Sequence, residues 1–194
     1  AATNWGIDLG TVDAPSSAFL TVKDTLVKLD WSISDQQRAT LRYTRTEQSE
    51  PFFSNFGTRA LSLTSHWYDQ KKTLDTTVAQ WFADWTPTLS TEARLSYRDY
   101  ASEPISRAQL PLMAFDFGGT YNGSALERTL FTGTERSRHV NQLFTKTWDS
   151  FIGATWTLGA HELHFGGEYS QNKIDDRFLQ DANGQYKFQC DNAF

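Results

Sequence analysis

The chain has 194 residues, a formal net charge of -5 and 39% hydrophobic residues, enough for one domain with a core but not readily for two. Its Lys and Arg are scattered among carboxylates, which argues against a nucleic-acid partner, and its single cysteine, Cys190, rules out an intramolecular disulfide framework. The longest nearly apolar run, residues 110–115, is cut by Pro111 and falls far short of the roughly 20 residues that a helical membrane span needs.

The opening residues, Ala1-Ala2-Thr3-Asn4-Trp5-Gly6, carry no basic region followed by an apolar one. A secretion signal is therefore not expected within the chain as given. Aromatics reach 14% although mean hydropathy is -0.54, a combination expected where polar and apolar faces alternate along strands.

The first such alternation puts Val27, Leu29, Trp31 and Ile33 on one face against Lys28, Asp30 and Ser32, the period of two that marks a strand. After the turn-like Ser34-Asp35-Gln36-Gln37 it resumes with Ala39, Leu41 and Tyr43 against Thr40, Arg42 and Thr44, so a short hairpin is predicted. Ala79, Trp81, Ala83 and Trp85 then alternate with Gln80, Phe82 and Asp84 up to Pro87, where the strand must end. Ala93, Leu95 and Tyr97 return against Glu92, Arg94, Ser96 and Arg98. The two hairpins superimpose without a gap at a constant offset of 54 residues, as from Asp30 to Asp84. A looser third copy has Ile152, Ala154, Trp156 and Leu158, a Gly159-Ala160-His161 turn, then Leu163, Phe165, Gly167 and Tyr169 against Glu162, His164, Gly166 and Glu168.

Between hairpins, residues 49–72 and 101–140 read as long loops punctuated by Pro51, Pro104, Pro111, Gly118, Gly119 and Gly123. Connections that alternate short and long suit a transmembrane barrel, with short periplasmic turns and long extracellular loops. The expected fold class is all-β: an antiparallel up-and-down transmembrane β-barrel segment with at least six strands in three hairpins. Trp31, Trp85 and Trp156 each stand just before a short turn on the apolar face, at about one height. With Trp81 they form a candidate girdle, where an indole buries its body in acyl chains and turns its N–H to headgroups. Tyr43, Tyr97 and Tyr169 recur on the returning strands, toward the other interface. The polar face, with Lys28, Asp30, Arg42, Asp84, Glu92, Arg94, Arg98, Glu162, His164 and Glu168, would line a wet lumen. In the first long loop Phe52, Phe53, Phe56, His66, Trp67 and Tyr68 offer aromatic groups to an external ligand.

Several strings resemble barrel strands of Oar-like TonB-dependent receptors. They are Leu29-Asp30-Trp31, Gln80-Trp81-Phe82-Ala83-Asp84-Trp85-Thr86, Arg94-Leu95-Ser96-Tyr97-Arg98-Asp99-Tyr100, Thr147-Trp148-Asp149-Ser150-Phe151, Gly159-Ala160-His161-Glu162-Leu163-His164-Phe165-Gly166, and Phe178-Leu179-Gln180-Asp181 with Tyr186-Lys187-Phe188. The resemblance runs over residues 26–188. It implies a large barrel of about 22 strands in a Gram-negative outer membrane, an N-terminal plug, and energised uptake of a bulky extracellular substrate driven by the TonB complex. Expected partners are outer-membrane lipid and lipopolysaccharide, the receptor's own plug domain and, through it, TonB. No plug and no TonB box is recognisable in residues 1–194, and six strands are fewer than the usual minimum of eight for closure. The chain is therefore expected to be a fragment of one barrel domain, and Phe194 is read as truncation rather than as the terminal aromatic of an assembly signal.

No catalytic constellation stands out, and neither enzyme activity nor a cofactor is expected. His161-Glu162-Leu163-His164 is not the H-E-x-x-H metal motif, and on a strand its two histidines face opposite sides. Asp181-Ala182-Asn183-Gly184 lacks the later ligands of a calcium loop and reads as a turn. Asn122-Gly123-Ser124 matches a glycosylation sequon but reads first as a turn. The carboxylates Asp175-Asp176 and Asp99 near Glu103 have no evident environment to shift a pKa. Two other architectures fit the alternation. One is a secreted soluble β-sandwich that binds glycans on exposed aromatics. The other is a complete small barrel of eight strands, with extra strands near residues 19–23 and 185–189.

Overall fold

The computed structural model describes residues 6–13 and 19–191. Residues 1–5 and Phe194, with the readings placed on them above, lie outside the described residues. Among the described residues, ten strands form two sheets: β1 (Thr21–Ser34), β2 (Gln37–Phe52), β3 (Ala60–Ser62), β4 (Tyr68–Thr86), β5 (Leu89–Ser106), β6 (Leu112–Tyr121), β7 (Ser124–Thr132), β8 (Val140–Leu158), β9 (His161–Leu179) and β10 (Gln185–Asp191). The six long strands make one antiparallel sheet in the order β1-β2-β4-β5-β8-β9, and β10-β6-β7-β3 make a second, smaller one.

The three short connections of the long sheet follow from turn chemistry. Ser34 Oγ accepts from the Gln36 N–H at 3.2 Å in the first, and Thr86 Oγ1 accepts from the Thr88 N–H at 3.2 Å around Pro87 in the second. In the third, Gly159 takes φ 60°, which a residue with a Cβ adopts only under strain. The turns do not end level. Gln37 pairs with Ala83, three residues before the end of β4, and Leu89 pairs with Trp156, two residues before the end of β8. This one-directional stagger is what a sheet of tilted strands in a barrel wall shows.

The long strands exceed their expected lengths. Residues 49–52, 68–72 and 101–106, read as loop, continue β2, β4 and β5. Pro51 and Pro104 are tolerated because each lies past the last pair with one neighbour, Thr21↔Ser49 and Ser102↔Leu143 respectively. Their missing N–H groups leave no ladder bond broken there. Much of the rest of the second long segment is not loop either: β6 and β7 form a hairpin around Asn122 (φ 48°) and Gly123 (φ 76°), both central positions positive as a type I′ turn requires. Of residues 19–23, only 21–23 are strand, as the start of β1, and residues 185–189 belong to β10, which pairs in parallel with β6. Neither segment adds a strand to the long sheet.

The buried residues lie mainly around the small sheet. Ser62, Ser65, His66, Trp67, Tyr68, Leu112, Ala114, Thr132 and Thr134 are all buried. Among the residues of the long sheet only Val78, Ala83 and Thr147, with Tyr68 at its end, reach that level. A sheet with so little interior must obtain its apolar stabilisation from what covers it.

Candidate functional site

Cross-strand pairing joins the alternating residues into continuous rungs. One rung of the long sheet runs Val27, Tyr43, Thr77, Tyr97, Trp148, Gln171; the next, Leu29, Leu41, Ala79, Leu95, Ser150, Tyr169; the next, Trp31, Ala39, Trp81, Ala93, Ile152, Gly167. All stand on one face, because paired residues point to the same side. Trp85 closes the band near the turns: its Nε1–H donates to Thr91 Oγ1 at 2.9 Å and its ring meets Trp81 edge-on at 5.7 Å. Leu29, Trp31, Ile152 and Tyr169 are each between 62% and 66% exposed. A shallow hollow of about 870 Å³ opens between Trp31, Trp81, Leu41 and Leu95 over Ala39, Ala79 and Ala93.

The candidate girdle residues all fall on this face, but not on one rung. Trp31 shares its rung with Trp81, whereas Trp156 pairs with Leu89 and Leu163, nearer the turns. Equal distance from a turn is not equal position in the ladder, because the turns are staggered. Tyr43 and Tyr97 lie on the rung farthest from the turns, and Tyr169 one rung closer.

The opposite face carries the ten polar residues singled out for a lumen. Lys28 pairs with Asp30 at 2.8 Å, Arg98 with Asp149 at 3.1 Å and His164 with Glu162 at 2.8 Å. Arg94 lies over the Phe151 ring at 5.3 Å, Gln80 donates to Glu92 at 3.5 Å, and Arg42, Asp84 and Glu168 complete the set. Phe151 lies along its strand over Gly153, where an added Cβ would come within 2.8 Å of the ring. Gly153 pairs with Gly166. The two missing side chains open a hollow of about 630 Å³ that Arg38, Phe82, Asp84, Glu92, His164 and Glu168 also line. His161 and His164 sit on opposite faces, as the alternation requires. No group of three or more His, Cys, Asp or Glu residues able to hold a metal occurs among the described residues.

Far from the turns, the small sheet, residues 6–13 and two single-turn 3-10 helices at Thr64–His66 and Arg136–Arg138 form a cap. It attaches to the polar face. Phe52, Tyr68 and Ser106 share one rung there; Phe52 stacks on Tyr68 at 5.2 Å, and Arg138 lies 5.0 Å over the Tyr68 ring. The centre of the cap is hydrogen-bonded rather than greasy. Leu9 O accepts from Ser65 Oγ at 2.6 Å and Thr132 Oγ1 at 2.9 Å, and Trp67 Nε1–H donates to Ser62 Oγ at 2.8 Å. His66 Nδ1–H donates to Gly133 O at 3.0 Å while Nε2 accepts from Asn55 Nδ2 at 3.0 Å. Both ring nitrogens are thus used by a neutral imidazole. Burial holds His66 below the ordinary histidine value, helped by the charge of His139 and opposed by the Gly133 bond.

The aromatic loop residues need correcting as ligand-facing groups. His66, Trp67 and Tyr68 are buried, Phe52 and Phe53 are half-buried, and only Phe56 is exposed. Phe53 and Phe56 meet the Trp67 ring edge-on at 4.8 and 5.9 Å. They are the cap's own packing. Two exposed aromatics of the cap that were not singled out in the sequence are on β10: Tyr186, and Phe188, stacked on Phe115 at 4.8 Å. A short polar strand with two alternating rings was the available signal.

An open antiparallel sheet of staggered strands, apolar on one uncovered face and polar on the other, defines the wall of a membrane barrel. A soluble sandwich would need a second sheet across the apolar face, but the other sheet sits at the strand ends. The chain belongs to the outer membrane beta barrel domain family, whose profile matches residues 6–193. Its place is the bacterial outer membrane. No curated protein and no solved structure matches the chain.

Proposed function

We propose that the chain forms wall and mouth of an Oar-like TonB-dependent receptor in a Gram-negative outer membrane, and that it serves uptake of a bulky substrate rather than catalysis. The observation that carries this reading is the position of the cap. It is a folded, hydrogen-bonded unit clipped to the polar face, beside the strand ends farthest from the short turns. In a barrel with the polar face inward, that places it across the external mouth. Strands β4, β8 and β9 run for 19 residues, against the 9–11 that cross a bilayer, so the wall projects well beyond the membrane, as a receptor with a large external vestibule needs.

On this reading the apolar face meets lipid and lipopolysaccharide, and the polar face meets the receptor's plug. Tyr186 and Phe188 on the cap then offer rings to the external substrate. The test is retention of the soluble periplasmic domain of TonB by the purified full-length receptor in detergent. Retention that is lost on deleting the receptor's TonB-contacting segment is expected. No retention overturns the energised-transport reading while leaving the barrel wall intact.

A further inference from the structure

On the apolar face, the rung that follows Tyr43, Tyr97 and Trp148 toward the cap reads Thr25, Arg45, Asp75, Asp99, Lys146, Lys173. Five of its six residues carry charge. The rung at the same level on the polar face reads Leu26, Thr44, Thr76, Arg98, Thr147, Asn172, with one charge. A wall whose charges were there only for water would not concentrate them on the side that is apolar one rung away, about 7 Å along the strand. Polar tips point from the last apolar rung into this one: the Tyr43 hydroxyl donates to Asp75, and the Tyr97 hydroxyl donates to Asp99 at 3.2 Å.

The charges on this rung are not equally satisfied. Arg45 lies 3.5 Å from Asp75, and Lys146 lies 3.6 Å from Asp99. Lys173 stands directly opposite Lys146, a like-charge pair that costs stability in a sheet. It has no salt-bridge partner among the described residues, and the next carboxylate along its face, Asp175, is taken by Arg177 at 2.8 Å.

We infer that this rung lies at the phosphate level of the outer leaflet and that Lys146 and Lys173 together hold a phosphate of a lipid headgroup there. The inference rests on the reading that the apolar face meets lipid. A phosphate between two opposed ammonium groups turns their repulsion into two charge-assisted hydrogen bonds. A headgroup supplies it at this height because the chains of the same lipid cover the apolar rungs below. The Trp148 ring, two residues from Lys146, would flank the site on the acyl side.

The experiment uses the full-length receptor reconstituted in phosphatidylcholine nanodiscs, with and without bis-phosphorylated lipid A. Lipid A is expected to raise the thermal midpoint of the wild type. In the Lys146→Gln/Lys173→Gln variant that rise disappears, and lipid A binding weakens at least about tenfold. Lipid A stripped of its phosphates should give no rise in either. An unchanged rise in the double variant overturns the inference, as it would if an acidic side chain of a further wall strand served Lys173. So does an equal rise with inorganic phosphate alone, which would mean a free-phosphate site. A bimane label at Leu41→Cys in a Cys190→Ala background, quenched by brominated acyl chains, reads the lipid-facing assignment separately. Quenching without a lipid A effect rejects only the phosphate site; no quenching rejects the facing itself.

Discussion

The wall and the cap solve opposite problems with neighbouring parts of one chain. In the wall, large side chains such as Trp31, Leu29 and Ile152 lie in open rows, largely uncovered by the described residues. Each would contribute about 1.5–3 kcal/mol if fully removed from water, so the bilayer is the missing half of this core. In the cap, the deepest groups are Ser62, His66, Thr132 and Thr134, and these hold it together only because each finds a hydrogen-bond partner. The difference teaches that one element can be folded by its surroundings while the next is folded by itself. The wall should be sensitive to charge on one face, and the cap to geometry and protonation.

The largest expected effect breaks the wall. Leu41→Arg in the full-length protein puts a charge among acyl chains at about 2–4 kcal/mol near the midplane, whereas Thr40→Arg puts it on the polar face. Outer-membrane assembly, followed by the heat-dependent shift on gels, should fail for the first and persist for the second; equal behaviour would remove the distinction between the faces.

A smaller effect should break the cap and leave the wall. Gly133 has φ 79°, and a Cβ there would collide with the Pro111 carbonyl, so Gly133→Ala should cost roughly 1–3 kcal/mol locally. Faster proteolytic nicking within residues 107–139, with an unchanged heat shift of the barrel, is the expected pattern. Loss of both together would mean that cap and wall fold as one unit.

The smallest effect sharpens the comparison through pH. His66 is held neutral, with its folded pKa below that of the unfolded chain, so the unfolded cap binds the extra proton. The stabilisation is full above the unfolded value of about 6.5 and is lost as pH falls below it toward the folded value. Amide protection factors around residues 62–67 should therefore decline from pH 7.5 to pH 5, while those in β4 and β5 between residues 77 and 97 hold. A His66→Gln variant should lose most of that pH dependence.

The wall was legible because its signal is local. Period-two alternation, Pro87, and Gly159 at a turn are each contained in a few residues, and they placed the three hairpins and the side on which every one of the polar and aromatic wall residues stands. The cap was not legible for the opposite reason. Leu9 meets Ser65 and Thr132 across separations of 56 and 123 residues, and β10 pairs in parallel with a strand 73 residues earlier, as at Phe188↔Phe115. Pro51 and Pro104 looked like loop punctuation because nothing local reveals that pairing with one neighbouring strand has already stopped there.

By itself, the sequence determined that this protein is a two-faced antiparallel sheet with aromatic rows beside its turns, because alternation is written residue by residue. Only the tertiary structure decided that the turns step along the sheet and that His66, Trp67 and Tyr68 face inward rather than toward a ligand. It also decided that the charges of Arg45, Asp75, Asp99, Lys146 and Lys173 line up in one rung. Register and long-range closure settle those features, and both depend on which strand lies beside which.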